Sequence, residues 1–430
     1  MDKSKTKSAN VKSSNTSATK AKDNKRQQFS ESLFKKATGY YLEKRYHEAF
    51  VRYKLSANLG NPQAWWMLGV IYLEGDGCVR NETKGIEFLY RAVADNEPHA
   101  CYDLALYYIR TGVNTEKAIA LLQQSADLGN GNAAYKLGEM IAKGENGLKQ
   151  DFKNAVEYLT KAVDAGVDNA YIPLSMIYYG VKKNVGHAIA LLKRCTDSSN
   201  RDLVALAANV LGDIYRCGED DSIIDLVESV RWFTKAAEAG DADGMYALSV
   251  HYERGDGVTQ DETEAMLWLR RAADAGHAKA QRRLGEAFYW GDGVPKDLDL
   301  AFKWCLAAAQ QGDAEAQYCV GLGYIKGEGT AVDEELATKY FRLAAEQGYV
   351  NAYIDIAKLL LKKSASSEAL TWLKKGADAG DAECEYGLGL IYESGYGGGV
   401  EPDVEQALFW YSNAAEKGHK KAAEILSEYK

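Results

Sequence analysis

Proline is scarce in this chain, 5 in 430 residues, so little interrupts helical backbone hydrogen bonding. No run of about 18 apolar residues occurs, which excludes a simple helical membrane span as the expectation. Cysteine is sparse and irregular: Cys78, Cys101, Cys195, Cys217, Cys305, Cys319 and Cys384 make an odd count with no C-x-x-C pair. That scatter argues against a disulfide framework or a zinc site and for small core residues in a reducing compartment. The six histidines include no H-E-x-x-H, and no G-x-x-x-x-G-K-[ST] occurs, so neither a zincin nor a phosphate-binding loop is readable. The N-terminus has no apolar leader segment, and Ser427-Glu428-Tyr429-Lys430 carries no prenylation or retention signal. These absences give an expectation of a cytoplasmic protein, or a nuclear one, without cofactor, metal or catalytic residues.

Charge is unevenly spread. Residues 1–29 hold Lys3, Lys5, Lys7, Lys12, Lys20, Lys22, Lys25 and Arg26 against Asp2 and Asp23, a local net of +6. The whole chain is −9, which leaves −15 on the remainder. Val11 is the only large aliphatic between Met1 and Phe29, so this Ser- and Lys-rich stretch is expected to be a disordered tail.

What the chain has in quantity is glycine, 40, and tyrosine, 28. Gly240, Gly276, Gly312 and Gly348 recur every 36 residues, and a fixed period of this size signals stacked supersecondary units. Ala280, Leu284, Gly285 and Phe288 fall on one stripe of a helix. Gly291-Asp292-Gly293 ends it, since glycine takes left-handed conformations cheaply. Asp297, like Asp261, Asp333 and Asp403, reads as the N-cap of a second helix, and Asp261 with Glu264 has capping-box spacing. That helix is apolar at Ala301, Trp304, Ala308 and Ala309 and closes at Gly312, after which Asp313, like Asp241 and Asp381, can cap the next first helix. Such a hairpin cannot bury its apolar faces alone, so stacking must complete the core.

The same phrase runs from about Ser30 to the C-terminus. Short units without G-x-G start at Ala100, Ala170 and Ala352; the junction from Asn200 to Ile224 is irregular, and Lys420–Lys430 reads as a polar capping helix. The expected fold is all-α, a right-handed superhelical solenoid of ten or eleven hairpins over 30–430.

The pattern A-x-x-x-L-G-x-x-Y-x-x-G-x-G-V-x-x-D-x-x-x-A-x-x-W-x-x-x-A-A-x-x-G resembles the Sel-one-like repeat family, relatives of the tetratricopeptide repeat, and is fullest in the units ending at Gly276, Gly312 and Gly418. The resemblance implies an α-superhelix that serves as an adaptor or scaffold in multiprotein assemblies. The chain departs from ER-type members in lacking a leader and a span, from some fungal members in lacking a prenyl box, and from a secreted bacterial subfamily in lacking regular cysteine pairs.

Three classes of function follow. The repeated Gly-Asp-Gly loops lack the ligand spacing of a calcium loop and read as turns, which leaves a hydrolase-like activity without a motif. Helical repeats can read RNA, but the acidic body repels phosphate, and only the basic tail offers a weak contact. A scaffold that binds a protein or peptide in its groove fits best. By analogy with tetratricopeptide grooves, offsets −1, +2, +3, +6, +9 and +10 from the first alanine face the groove. They give Tyr102, Asp103, Arg110, Tyr135, Lys136, Glu139, Tyr246, Arg254, Arg282, Arg283, Glu286, Trp290, Tyr318, Asp355 and Lys358. Lys279, Arg282 and Arg283 form the densest basic cluster and are expected to take an acidic peptide or a C-terminal carboxylate. The alternative reading makes the +2 tyrosines packing residues and the charges a solvated face.

Overall fold

The computed structural model describes residues 5–218, 221–395 and 401–429, with side chains from Asn24 onward except that of Asp221. The inner-loop residue Glu219, the second glycine of the last G-x-G, Gly397, and the terminal Lys430 lie outside the described residues. Twenty-three α-helices and no strand are present among the described residues.

Two compact units divide the chain, 1–199 and 200–430. The first contains α1 (Lys5–Leu42), α2 (Tyr46–Asn58), α3 (Pro62–Glu74), α4 (Glu82–Ala94), α5 (Pro98–Thr111) and α6 (Thr115–Asp127). It continues with α7 (Gly131–Lys143), α8 (Phe152–Asp164), α9 (Tyr171–Gly180) and α10 (Val185–Cys195). The second unit begins with α11 (Arg201–Cys217), α12 (Leu226–Glu238), α13 (Ala242–Arg254), α14 (Glu262–Asp274), α15 (Ala278–Trp290) and α16 (Leu298–Gln310). It ends with α17 (Ala314–Lys326), α18 (Glu334–Glu346), α19 (Val350–Lys362), α20 (Ser366–Asp378), α21 (Ala382–Ser394), α22 (Val404–Glu416) and α23 (Lys420–Glu428). Odd and even helices pair as hairpins, and within each unit every hairpin packs on the next. The division falls where the sequence repeat is interrupted, after Ser199.

One hairpin shows why these residues fold this way. The stripe of α15 is buried: Ala280 and Leu284 are fully covered and Phe288 nearly so, and a buried Leu or Phe contributes about 1.5–3 kcal/mol. Gly285 lies where α15 crosses α16; a Cβ there would sit 2.6 Å from Cys305 Sγ and 3.0 Å from the Ala301 carbonyl. The Asp297 side chain accepts the Leu300 N–H at 2.9 Å and so starts α16, and Asp261, Asp333 and Asp403 cap their helices alike. At the far end Gly312, at φ 95°, follows the last helical turn, and Asp313 accepts from Ala316 N–H at 2.8 Å to begin α17.

Helical backbone starts at Lys5 and runs to Leu42. The stretch contains neither proline nor glycine before Gly39, so nothing in it breaks a helix growing back from the first hairpin. Ser30 is the first buried described side chain, and its hydroxyl donates to Ser56 O at 3.0 Å.

Candidate functional site

The aromatic residues at offset +2 mostly join one hairpin to the next. Trp66 stacks on His99 with ring centroids 4.7 Å apart and donates its indole N–H to Asp103 at 2.6 Å. Tyr246 stacks on His277 at 4.4 Å, and Tyr386 on His419 at 4.3 Å. Tyr318 packs on Tyr349 at 5.1 Å and donates to Asp355 at 2.9 Å; Lys358 Nζ lies 3.9 Å from the same carboxylate. His277 and His419 also cap α15 and α23: their Nδ1 atoms accept from Ala280 N–H at 3.0 Å and Ala422 N–H at 3.2 Å. Tyr102 and Tyr135 are half-buried, and burial pushes both phenols above their ordinary range. Tyr246 and Tyr318 are thus wedged between neighbouring hairpins.

The basic cluster is not a free cationic patch. Arg282 Nη1 lies 2.5 Å from Glu286 and 2.9 Å from Glu315, and Nε lies 3.4 Å from Asp313. Arg283 Nη2 donates to Glu253 at 2.7 Å. Besides Glu286 on its own helix, Arg282 is held by carboxylates of α17 and its cap, and Arg283 by one of α13, whose positions no count along one helix could reveal. Lys279 remains exposed. In the first unit Glu139 sits 3.7 Å from Lys136 and 2.9 Å from Lys143, while the exposed Arg110 reaches over the Tyr107 ring.

Three cavities in the second unit gather the remaining sites. Tyr246, Arg254 and Lys279 line a broad one of about 970 Å³ with Asp213, Arg216 and Asp243. Arg283, Glu286 and Trp290 line another of about 370 Å³ between α13 and α15. Glu286 and Trp290 also border a third, of about 260 Å³, walled by Tyr289, Phe302, Cys305, Cys319 and Leu322 and rimmed by Lys326 and Glu328. Trp290 is 74% exposed and meets Tyr289 edge-on at 4.8 Å. The Tyr289 hydroxyl donates to Glu328 at 3.1 Å, which ties α15 to the loop after α17. Tyr289 and Cys319 stand at offsets +9 and +3, so the same rule could have found them. Phe302 comes from a second helix, which that rule never consults.

Among the described residues no group of three or more His, Cys, Asp or Glu side chains could hold a metal ion, and no helix is long and apolar enough to cross a membrane.

Comparison with known proteins agrees with this architecture. The Sel1 repeat family matches residues 62–96, 98–130, 131–167, 205–241, 242–277, 278–313, 314–349, 360–381 and 382–419. Among curated relatives, the chitin synthase regulator SKT5 of Saccharomyces cerevisiae is 28% identical over 222 residues, which are 49% of this chain and 32% of that protein. Chitin synthase regulatory factor 1 of Schizosaccharomyces pombe is 26% identical over 33% of this chain and 32% of its own length. The chain thus spans about a third of the length of these two fungal relatives. Cytochrome c oxidase assembly factor 7 of Xenopus tropicalis is 25% identical over 46% of this chain and 88% of that protein. Of solved structures, a protective antigen of uropathogenic Escherichia coli with an SLR fold superposes with a TM-score of 0.58 at 28% identity, covering 88% of this chain and 82% of its own. A Sel1 repeat protein of Oxalobacter formigenes gives 0.58 at 27% identity over 70% of this chain and 87% of its own. With its repeat matched over well over half of its length and its hairpins built as that repeat requires, the chain belongs to the Sel1 repeat family.

Proposed function

We propose that the chain is a non-catalytic adaptor that regulates or assembles another protein, and that it holds a segment of that partner on the first helices α13, α15 and α17, where an apolar side chain enters beside Trp290. The observation that carries this reading is Trp290 itself. A tryptophan left three-quarters exposed on the rim of an apolar cavity forgoes burial that the fold gives its other tryptophans, and Trp is among the residue types enriched at binding hot spots. The paired arginines support a positioning role: they hold α13, α15 and α17 in register around the cavity. The relatives named as chitin synthase regulators and as an assembly factor support the class of function.

The experiment is affinity capture from cell extract with the full chain and with Trp290→Ala. The substitution is expected to leave the helical circular dichroism and melting unchanged and to cut capture of the principal partner at least about tenfold, the effect of a hot spot near 1.4 kcal/mol. Unchanged capture would move the site away from Trp290. The double reversal Arg282→Glu with Arg283→Glu is expected to behave differently. It sets like charges against Glu286, Asp313, Glu315 and Glu253 and should cost about 2 kcal/mol of stability, read as a lowered denaturation midpoint.

A further inference from the structure

The seven cysteines are unequal. Cys101, Cys195 and Cys384 are buried on separate helices, and Cys217 is exposed. Cys305 on α16 and Cys319 on α17 share one place. Cys319 packs against the small core cluster that contains Cys305, and both line the cavity beside Trp290. The two helices are consecutive and packed together, and Gly285 opposite them lacks the side chain that would collide with Cys305 Sγ.

We propose that Cys305 and Cys319 form a redox-responsive dithiol that closes to a disulfide across α16 and α17 when hydrogen peroxide reaches the cavity. The inference stands independently of what binds beside Trp290.

The two thiols have different tasks. Cys305 is buried, and its thiol is held up by its hydrogen bond to Cys319 and by burial. Cys319 is partly exposed at the cavity wall, and the neighbouring Cys305 thiol holds its own below the ordinary range, opposed by burial and by Glu286 and Glu315 and helped by the Arg282 guanidinium. The thiolate is the nucleophile in thiol oxidation. Cys319 sulfur therefore attacks one peroxide oxygen; the O–O bond breaks, hydroxide leaves, and a sulfenic acid forms. Cys305 sulfur then attacks the Cys319 sulfur. An S–S bond forms, the S–O bond breaks, and the Cys305 proton departs with the leaving hydroxide as water. In sum two thiols and one peroxide give one disulfide and two waters. The two side chains share one core cluster and one cavity wall on packed consecutive helices, the placement that the roughly 3.8 Å Cβ separation of a disulfide requires. Cys217 has greater exposure, and Cys101 and Cys195 are pushed by burial to about 11; neither exposure nor burial alone supplies a resolving partner.

The test uses the reduced full chain. It is treated with hydrogen peroxide, quenched, alkylated under denaturing conditions, digested and mapped by mass spectrometry. The expected product is a Cys305–Cys319 linked peptide, lighter by two hydrogens and restored by dithiothreitol, while Cys101, Cys195 and Cys384 are recovered alkylated. In Cys305→Ser the sulfenic acid at Cys319 should persist and be trapped by dimedone; Cys319→Ser should abolish linkage at Cys305. Recovery of both cysteines as alkylated thiols, or of Cys319 as sulfinic acid without linkage, would overturn the proposal.

Discussion

The regular hairpins α13–α14, α15–α16 and α17–α18 and the short hairpins α5–α6, α9–α10 and α19–α20 solve one problem with different loops. In the regular α15–α16 hairpin seven residues, 291–297, join the helices; in α19–α20 three do, 363–365. The long loop carries two left-handed glycines, Gly291 and Gly293. The short loops each carry a left-handed side chain: Asn114 at φ 58°, which follows the left-handed Gly112, Lys183 at φ 50° and Ser364 at φ 60°. The caps diverge too. Asp297 and its equivalents accept backbone N–H groups, whereas neither α19 nor α20 has a side-chain cap. The long loop also reaches its neighbour: a Cβ on Gly329 would overlap the backbone carbonyl of Leu298 at the start of α16. Loop length therefore does more than reverse the chain. It lets the G-x-G loop of one hairpin rest on the helix start of the hairpin before it.

The comparison is broken most severely at that contact. Gly329→Ala combines φ 71° with overlap on the Leu298 backbone and Phe302 and is expected to cost about 3 kcal/mol. Gly112→Ala, at φ 67° in a short hairpin with nothing within 4 Å, should cost only about 1 kcal/mol, the strain alone. Urea denaturation of the two variants decides this; equal losses would show that the contact between hairpins contributes nothing.

Next in size are the two repeat glycines of the regular hairpins. Gly285→Leu should cost about 1–3 kcal/mol by forcing α15 off Cys305 and the Ala301 carbonyl. Gly276→Val has open space, so only its φ of 94° opposes the substitution, and a loss of about 1–2 kcal/mol is expected. Melting temperatures like the parent's would refute both placements.

These positions also show what was legible in the sequence. The period, the hairpin, the aspartate caps and the closing glycines are local chemistry: each depends on residues a few positions apart, so Asp297 and Gly312 could be read directly. Helix-face counting also placed Trp290 on an exposed position. It says nothing of the contacts of Arg282, Arg283, Tyr246 and Tyr318 in the neighbouring hairpin, which are Glu315, Glu253, His277 and Asp355. An offset from one alanine states which way a side chain points and nothing about what stands opposite. The pair Cys305 and Cys319 escaped for the same reason, since its members occupy different offsets on different helices.

Smaller effects test the loops and caps. Asp297→Ala removes the cap of α16 and should cost about 1 kcal/mol. Ser364→Gly relieves a left-handed side chain at some entropic cost and should gain about 0.5 kcal/mol in midpoint stability. A loss at Ser364 would mean that the short turn needs its side chain.

A further small effect is the pH response of one first-helix cap. Asp241, Asp313 and Asp381 cap α13, α17 and α21, but α15 is capped by His277. Its Nδ1 must be unprotonated to accept the Ala280 N–H, and stacking on Tyr246 keeps the ring half-buried. Burial holds the imidazole below its ordinary value of 6.5, with Lys279 acting the same way and Asp243 and Asp241 opposing it. The folded chain thus binds this proton less readily than the unfolded chain. The stabilisation is fully present above 6.5 and is lost as the pH falls from there through the folded value. Asparagine caps a helix without titrating, so His277→Asn should lose less stability than the parent between about pH 7.5 and about pH 5.5, by no more than about 1 kcal/mol, the worth of a cap. Parallel stability curves for the two proteins over that range would show that the proton on His277 is not coupled to the start of α15.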